Sequence, residues 1–184
     1  MTVPPSPSFP QPSTWFSWHA HRIRTGMRVL DVAAGSGRHG VLAATLGGTV
    51  TLLDRDETAL AAGRALAAGF GVSIESRVAD LTKPWPDLGV FDAILVFNYL
   101  DRSRMGDLVA RLAPGGLLLM ETFLDAQREQ GWGPEKPEHL LKPGELARLV
   151  APLEILHGRE VLEPVDATRW RAIASIAAQK LTTS

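Results

Sequence analysis

From Met27 onward, short apolar runs of strand length alternate with stretches of helical spacing. Met27–Val32 and Thr49–Asp54 are strand-like, and between them residues 37–46 read as a helix stopped by Gly47-Gly48. A second helix is predicted over Asp56–Ala68, where Gly69 and Gly71 end it. Over Ser73–Ala79 the residues Ile74, Ser76 and Val78 alternate as in an edge strand. Phe91–Phe97 is a continuous apolar run, the pattern of a strand buried on both faces. Ser103 can then cap a helix whose inner stripe is Met105, Leu108, Val109 and Leu112. Pro114-Gly115-Gly116 stops it, and a further buried strand runs from Gly116 to Phe123. Strand, helix, strand in this rhythm predicts a doubly wound α/β fold, a parallel sheet with helices on both faces.

The two ends of the chain carry less pattern. Residues 1–14 hold five prolines among serines and predict an extended, flexible arm, leaving 15–184 as a single domain. Pro143–Val150 reads as a short helix and Leu153–Val161 as a strand. Beyond Thr168, alternation at Trp170, Ala172, Ala174, Ile176 and Ala178 suits a strand. Ile173, Ile176, Ala177 and Lys180 suit a helix equally, so periodicity leaves that segment open.

Composition narrows the function classes. With 184 residues, 45% apolar and 21% charged, the chain is an ordinary globular length and mixture. Its 19 basic and 20 acidic residues give a net charge of −1, which offers no footprint for nucleic acid or an anionic membrane. Without cysteine there is no disulfide, thiolate metal site or Cys nucleophile, and the five histidines are scattered rather than set at ligand spacing, so no metal is expected. The longest apolar runs are too short to span a bilayer, and the N-terminus lacks the charged start and apolar core of a signal peptide. A cytoplasmic protein, monomer or homodimer, is the expectation.

The chemistry concentrates in Val29-Leu-Asp31-Val-Ala-Ala-Gly35-Ser-Gly37-Arg-His-Gly40. Here a strand runs into a glycine turn that opens a helix, where a ligand can approach bare N–H groups at the positive helix end. Gly35, Gly37 and Gly40 match the dinucleotide fingerprint, and Asp54 at the end of the next strand would hold a ribose diol in either a dinucleotide or an adenosyl cofactor. Three features separate the two. Asp31, just ahead of the turn, would oppose a pyrophosphate but welcome an ammonium group. Asp80 ends the third strand, where it can accept from an adenine amino group. The chain also continues too briefly past the sheet to supply a second domain for hydride transfer.

With these motifs in order, the sequence resembles the class I S-adenosylmethionine-dependent methyltransferases. Val29–Gly37 matches their first motif, Thr51-Leu-Leu-Asp54 the second and Val78-Ala-Asp80 the third. Phe91–Tyr99 and Ala113–Glu121 match the fourth and fifth strand motifs. Ala33 departs from the pattern, standing where the family usually has its first glycine; an ordinary β conformation there would cost little. Ser13-Thr-Trp15, Gly35-Ser-Gly-Arg-His39, Asn98-Tyr-Leu100, Glu121-Thr-Phe123 and Leu140–Leu146 further resemble the small tellurite-resistance-type bacterial methyltransferases. That resemblance implies a Rossmann-like seven-stranded sheet in a three-layer α/β/α arrangement. Its last strand would be antiparallel, so the tail would form strands.

The implied cofactor is S-adenosylmethionine, with S-adenosylhomocysteine as product. Its expected contacts are Asp31, Ala33, Ala34, Gly35, Gly37, Arg38, Asp54, Arg55, Asp80, Leu81, Phe97 and Asn98, with Trp15 covering it. Arg38 would meet the methionine carboxylate, while Asp31 could equally tie the glycine turn together. Tyr99, Arg102 and Trp132 are expected on the side of a small-molecule acceptor, with Trp132 as a swinging cover on a loop over Leu124–Lys142. Tyr99 and Glu121 are the catalytic candidates; Glu121 suits a general base or a polar plug equally. Two alternatives stand beside this reading: a nicotinamide-dependent oxidoreductase of Rossmann type, and a non-catalytic S-adenosylmethionine-binding regulator.

Overall fold

The computed structural model describes residues 10–182, and residues 1–9 of the expected arm lie outside the described residues. Seven strands form one sheet in the order β3-β2-β1-β4-β5-β7-β6. They are β1 (Arg28–Val32), β2 (Thr49–Asp54), β3 (Glu75–Val78), β4 (Phe91–Phe97), β5 (Leu112–Phe123), β6 (Glu154–Pro164) and β7 (Trp170–Gln179). The first five run parallel. β7 lies antiparallel to both β5 and β6, so the ambiguous tail is a strand, as the resemblance implied. Its burial explains the mixed pattern: every residue from Ala172 to Ala178 is buried, on both faces, which erases the period of two.

Helices α1 (Thr14–His19), α2 (Arg38–Thr45) and α3 (Glu57–Gly69) cover one face, and α4 (Met105–Arg111) and α5 (Glu145–Leu149) the other. On the first side Trp15 and Phe16 of α1, Ala43 of α2 and Leu60 of α3 pack on Val29, Leu52, Leu95 and Leu119. On the second, Met105, Leu108 and Leu146 pack on Leu30, Ile94, Leu118 and Ile176. Among the described residues no helix is long and apolar enough to cross a membrane.

Two local readings change. Leu112 belongs to β5, not to the stripe of α4: the helix ends at Arg111, and β5 passes through Pro114-Gly115-Gly116 with a register shift between Phe91 and Ala93. Ser13 is fixed rather than free. It is buried, its hydroxyl donates to Glu121 at 2.8 Å and accepts from the Trp15 N–H at 3.0 Å, capping α1. The first change lengthens β5 only at its start, so every carboxyl end at which the site candidates sit keeps its place.

Candidate active site

The parallel strands deliver their carboxyl ends to one edge of the sheet, where three cavities adjoin. The glycine turn after β1 opens the first. Gly35 and Gly37 take φ of 54° and 70°, and a Cβ on Gly37 would lie 2.5 Å from a Leu52 methyl. Ala33 also sits in the left-handed region, at φ 54°, so the β conformation expected there is corrected. A side chain held in that region costs roughly 1–2 kcal/mol, which is the physical sense of a glycine at this position.

This first cavity, of about 370 Å³, is lined by Asp31, Ala33, Ala34, Ser36, Arg38, His39, Phe97 and Asn98. Asp31 is buried and accepts the Gly40 N–H at 2.8 Å, so it does tie the turn to α2 while also facing the cavity. Burial pushes its carboxyl up to about 7, against the opposing pull of that hydrogen bond and of Arg38. The His39 ring stacks on Phe97 at 3.9 Å between centroids and accepts the Ser13 N–H at 3.0 Å. Burial, then Arg38 and Arg171, depress it to about 3, so it is neutral. Arg38 reaches the Gln11 carbonyl at 3.3 Å and is itself held below its usual range, first by burial. An acid that is ready to ionise beside a guanidinium suits the ammonium and carboxylate of an amino-acid end.

The second cavity, of about 570 Å³, is lined among others by Asp54, Arg55, Asp80, Leu81, Tyr99, Asp101 and Arg102. Asp54 accepts from the N–H groups of Gly35 at 2.8 Å and Asp56 at 3.0 Å, which binds the end of β2 to the glycine turn. Asp80 is exposed and held below its usual range, first by the Thr82 hydroxyl at 2.7 Å. A half-buried diol-accepting carboxylate and an exposed amine-accepting one over apolar walls fit an adenosine.

Asn98 joins the first cavity to a third, of about 290 Å³, formed by Asn98, Tyr99, Leu100, Thr122, Phe123, Pro134 and His139. Tyr99, Leu100 and His139 also line the second. Asn98 has φ 58°, a rare conformation that turns the chain sharply where the cavities meet, and its N–H donates to the Glu121 carbonyl at 2.8 Å. The Tyr99 hydroxyl is buried without a hydrogen-bond partner among the described residues, and its pKa is pushed up to about 12, first by burial.

Several expected site residues lie elsewhere or do something else. Trp15 is 0% exposed and donates its ring N–H to the Ile176 carbonyl at 3.1 Å; it is core, not a cover. Glu121 is 1% exposed and lines none of the three cavities. It accepts from the Ser13 and Ser175 hydroxyls and pairs with Arg159 and Arg171, each at 3.3 Å, which makes it the polar plug rather than a free base. Trp132 donates to the Trp170 carbonyl at 2.8 Å and packs its ring edge on Phe123, anchoring the loop outside the third cavity. That loop is built rather than loose: it holds short 3-10 turns at Asp125–Gln130 and Pro137–His139, and buried Gln127 bridges Trp132 to Ala172. Arg102 lines the second cavity, but its guanidinium is spent on a bidentate pair with Glu145 and on two carbonyls. Gly35 and Gly37 shape the turn without lining a cavity.

Ser36, Thr82, Asp101, Thr122, Phe123, Pro134 and His139 line the cavities without having been singled out as site residues. Thr122 and Phe123 follow Glu121 in a quoted motif and were within reach. His139 was not, because it sits on a loop that no periodicity places.

A family model described as a methyltransferase domain matches residues 29–116. A protein-L-isoaspartate O-methyltransferase of Methylorubrum populi is 34% identical over 123 residues, 63% of this chain and 56% of that protein. A ubiquinone biosynthesis O-methyltransferase of Agrobacterium fabrum is 27% identical over 172 residues, covering 82% of this chain and 69% of the relative. The chain spans about half the length of the first of these, 56%. In fold it matches TehB from Haemophilus influenzae with a TM-score of 0.70 at 20% identity, over 89% of this chain and 60% of that one. By ordered motifs and domain match the chain resembles the class I S-adenosylmethionine-dependent methyltransferases, and its fold is similar to that of TehB.

Proposed function

We propose that residues 15–184 form a single methyltransferase domain that binds S-adenosylmethionine and moves its methyl group to a small-molecule acceptor. The observation that carries this reading is the continuity of the three cavities through Asn98 and Tyr99. The methionine end fits Asp31 and Arg38, and the adenosine fits Asp54, Arg55, Asp80 and Leu81. The reactive methyl group belongs where the cavities meet. When bound, the cofactor supplies an activated sulfonium donor. The protein's part is then alignment and exclusion of water, for which the Asn98 turn and the apolar Leu100 and Phe123 walls are suited.

The acceptor cavity of about 290 Å³ has room for one small organic molecule and lies under an anchored loop, which supports a small acceptor over a protein surface. The Methylorubrum relative carries a protein substrate in its name and the Agrobacterium relative a biosynthetic O-methylation, so the relatives alone do not choose. Titration calorimetry tests the reading. S-adenosylhomocysteine should bind with micromolar affinity and NADH should not; the reverse preference would return the chain to the oxidoreductase class.

A further inference from the structure

The acceptor cavity lacks the base expected of it from the sequence. Glu121 is consumed by two arginines and two hydroxyls, and Tyr99 titrates far above neutrality. Among the residues lining that cavity, His139 is the other titratable group, and imidazole is the side chain whose ordinary pKa lies near neutral pH. His139 stands at the seam of the acceptor and adenosine cavities, and its ring makes no hydrogen bond among the described residues.

The turn that carries it is held from outside. Arg102, leaving β4, donates Nη1–H to the Glu138 carbonyl at 3.0 Å and Nη2–H to the Leu140 carbonyl at 2.7 Å, the residues on either side of His139. The same guanidinium grips Glu145 through Nε at 2.6 Å and Nη2 at 3.0 Å, and Glu145 accepts the Lys142 N–H at 2.8 Å. A fork fixed by a carboxylate and aimed at two carbonyls holds one backbone geometry, as a planar guanidinium can and an ammonium cannot.

We propose that His139, positioned by the Arg102–Glu145 clamp, is the general base for a small acceptor carrying an acidic hydroxyl or thiol. The proposal rests on the methyltransferase reading above. As the acceptor oxygen or sulfur attacks the sulfonium methyl carbon, the carbon–sulfur bond breaks and its electron pair stays on the departing thioether. The acceptor proton passes to the neutral His139 ring, which later releases it to solvent, so one S-adenosylhomocysteine, one methyl ether or thioether and one proton are formed. The charged groups around the same mouth are Asp54, Arg55, Asp80, Asp101, Arg102 and Glu138. Arg102 is already paired with Glu145, and Asp80 with Lys83. An amine acceptor would shed its proton before binding and a carboxylate has none to lose, so neither would need this residue.

The test uses the full chain with catechol, 4-nitrophenol, thiophenol and benzylamine as probe acceptors. First, S-adenosylhomocysteine binding is measured for both proteins; binding by the parent leaves the methyltransferase reading standing whatever follows, whereas its failure to bind would sink that reading instead. Transfer to the hydroxyl or thiol probes should then fall at least 100-fold in His139→Gln, lose its acidic limb in the pH profile, and recover in part when imidazole is added to His139→Gly. Catechol added to the S-adenosylhomocysteine complex should shift the His139 ring resonances. Arg102→Lys should raise KM and lower kcat while keeping the acidic limb. Transfer to benzylamine only, transfer to none of the four probes, an unchanged pH profile in His139→Gln, or a still His139 resonance would each overturn the proposal.

Discussion

Asp31 and Glu121 are both acids buried at the carboxyl end of a central strand on the same face of the sheet, yet they live in opposite surroundings. Asp31 has one backbone N–H for a partner and faces a cavity, and burial drives its carboxyl up to about 7. Glu121, one strand past β4, is ringed by two serine hydroxyls and two guanidiniums, with Glu163 balancing both arginines from β6. The same contrast separates the two halves of the molecule. Around β1, β2 and β4 the polar side chains keep hydrogen-bonding capacity for a ligand. Around β5, β7 and β6 they have used it on one another. An acid at a strand end is therefore a ligand group only where the protein leaves it incompletely satisfied.

Removing the plug should be the most damaging way to break this contrast. Glu121→Ala removes one of the two carboxylates that Arg159 and Arg171 share, leaving Glu163 as the other, and loss of one partner from a buried ion pair costs about 3–5 kcal/mol. Urea denaturation should show a loss of that size. A change below about 1 kcal/mol would mean that water already reaches the arginines.

Much of this was legible in the sequence, and what was not has a physical reason. Strand ends that carry Asp31, Asp54, Asp80 and Asn98 were readable because strand length, glycine turns and family motifs agree there. Of the cofactor residues expected from the sequence, Asp31, Ala33, Ala34, Arg38, Phe97 and Asn98 share one cavity, and Asp54, Arg55, Asp80 and Leu81 share the next. Residues whose role depends on a distant partner were not readable. Nothing near Glu121 in the chain announces Arg159 and Arg171, and nothing near Arg102 announces Glu145. Trp15 looked like a cover because the family resemblance places such an arm over the cofactor; it is core because α1 packs against β7. Ala33 hid its left-handed backbone behind a residue type that ordinarily avoids it.

A gentler change sharpens the same picture from the glycine turn. Ala33→Gly removes a Cβ held at φ 54° and should stabilise the chain by about 0.5–1 kcal/mol, less what is lost by baring a methyl group. A rise in the urea midpoint checks it; a fall would show that packing of the methyl outweighs the strain.

A further effect is set by pH. Asp31 has a folded pKa above its unfolded one, so its contribution to stability is fully present below pH about 4 and lost as pH rises toward 7. Asp31→Asn should therefore lose less stability than the parent between those limits. An ammonium group bound beside Asp31 would favour the carboxylate, so S-adenosylhomocysteine binding near pH 6.5 should release a fraction of a proton. Calorimetry in buffers of different ionisation enthalpy reads that fraction, and Asp31→Asn should abolish it. Equal proton release in both proteins would remove Asp31 from the methionine end.

The most direct measurement is the affinity of Asp54→Ala for S-adenosylhomocysteine, by calorimetry beside the parent protein. Asp54 holds the Gly35 N–H and is the carboxylate proposed to accept both ribose hydroxyls. Its removal should raise Kd at least tenfold, about 1.4 kcal/mol or more, with Asp80→Ala giving a smaller rise because the adenine ring stays packed. Parental affinity in Asp54→Ala would contradict the placement of the ribose, and with it the reading of the β1, β2 and β4 ends as the cofactor site.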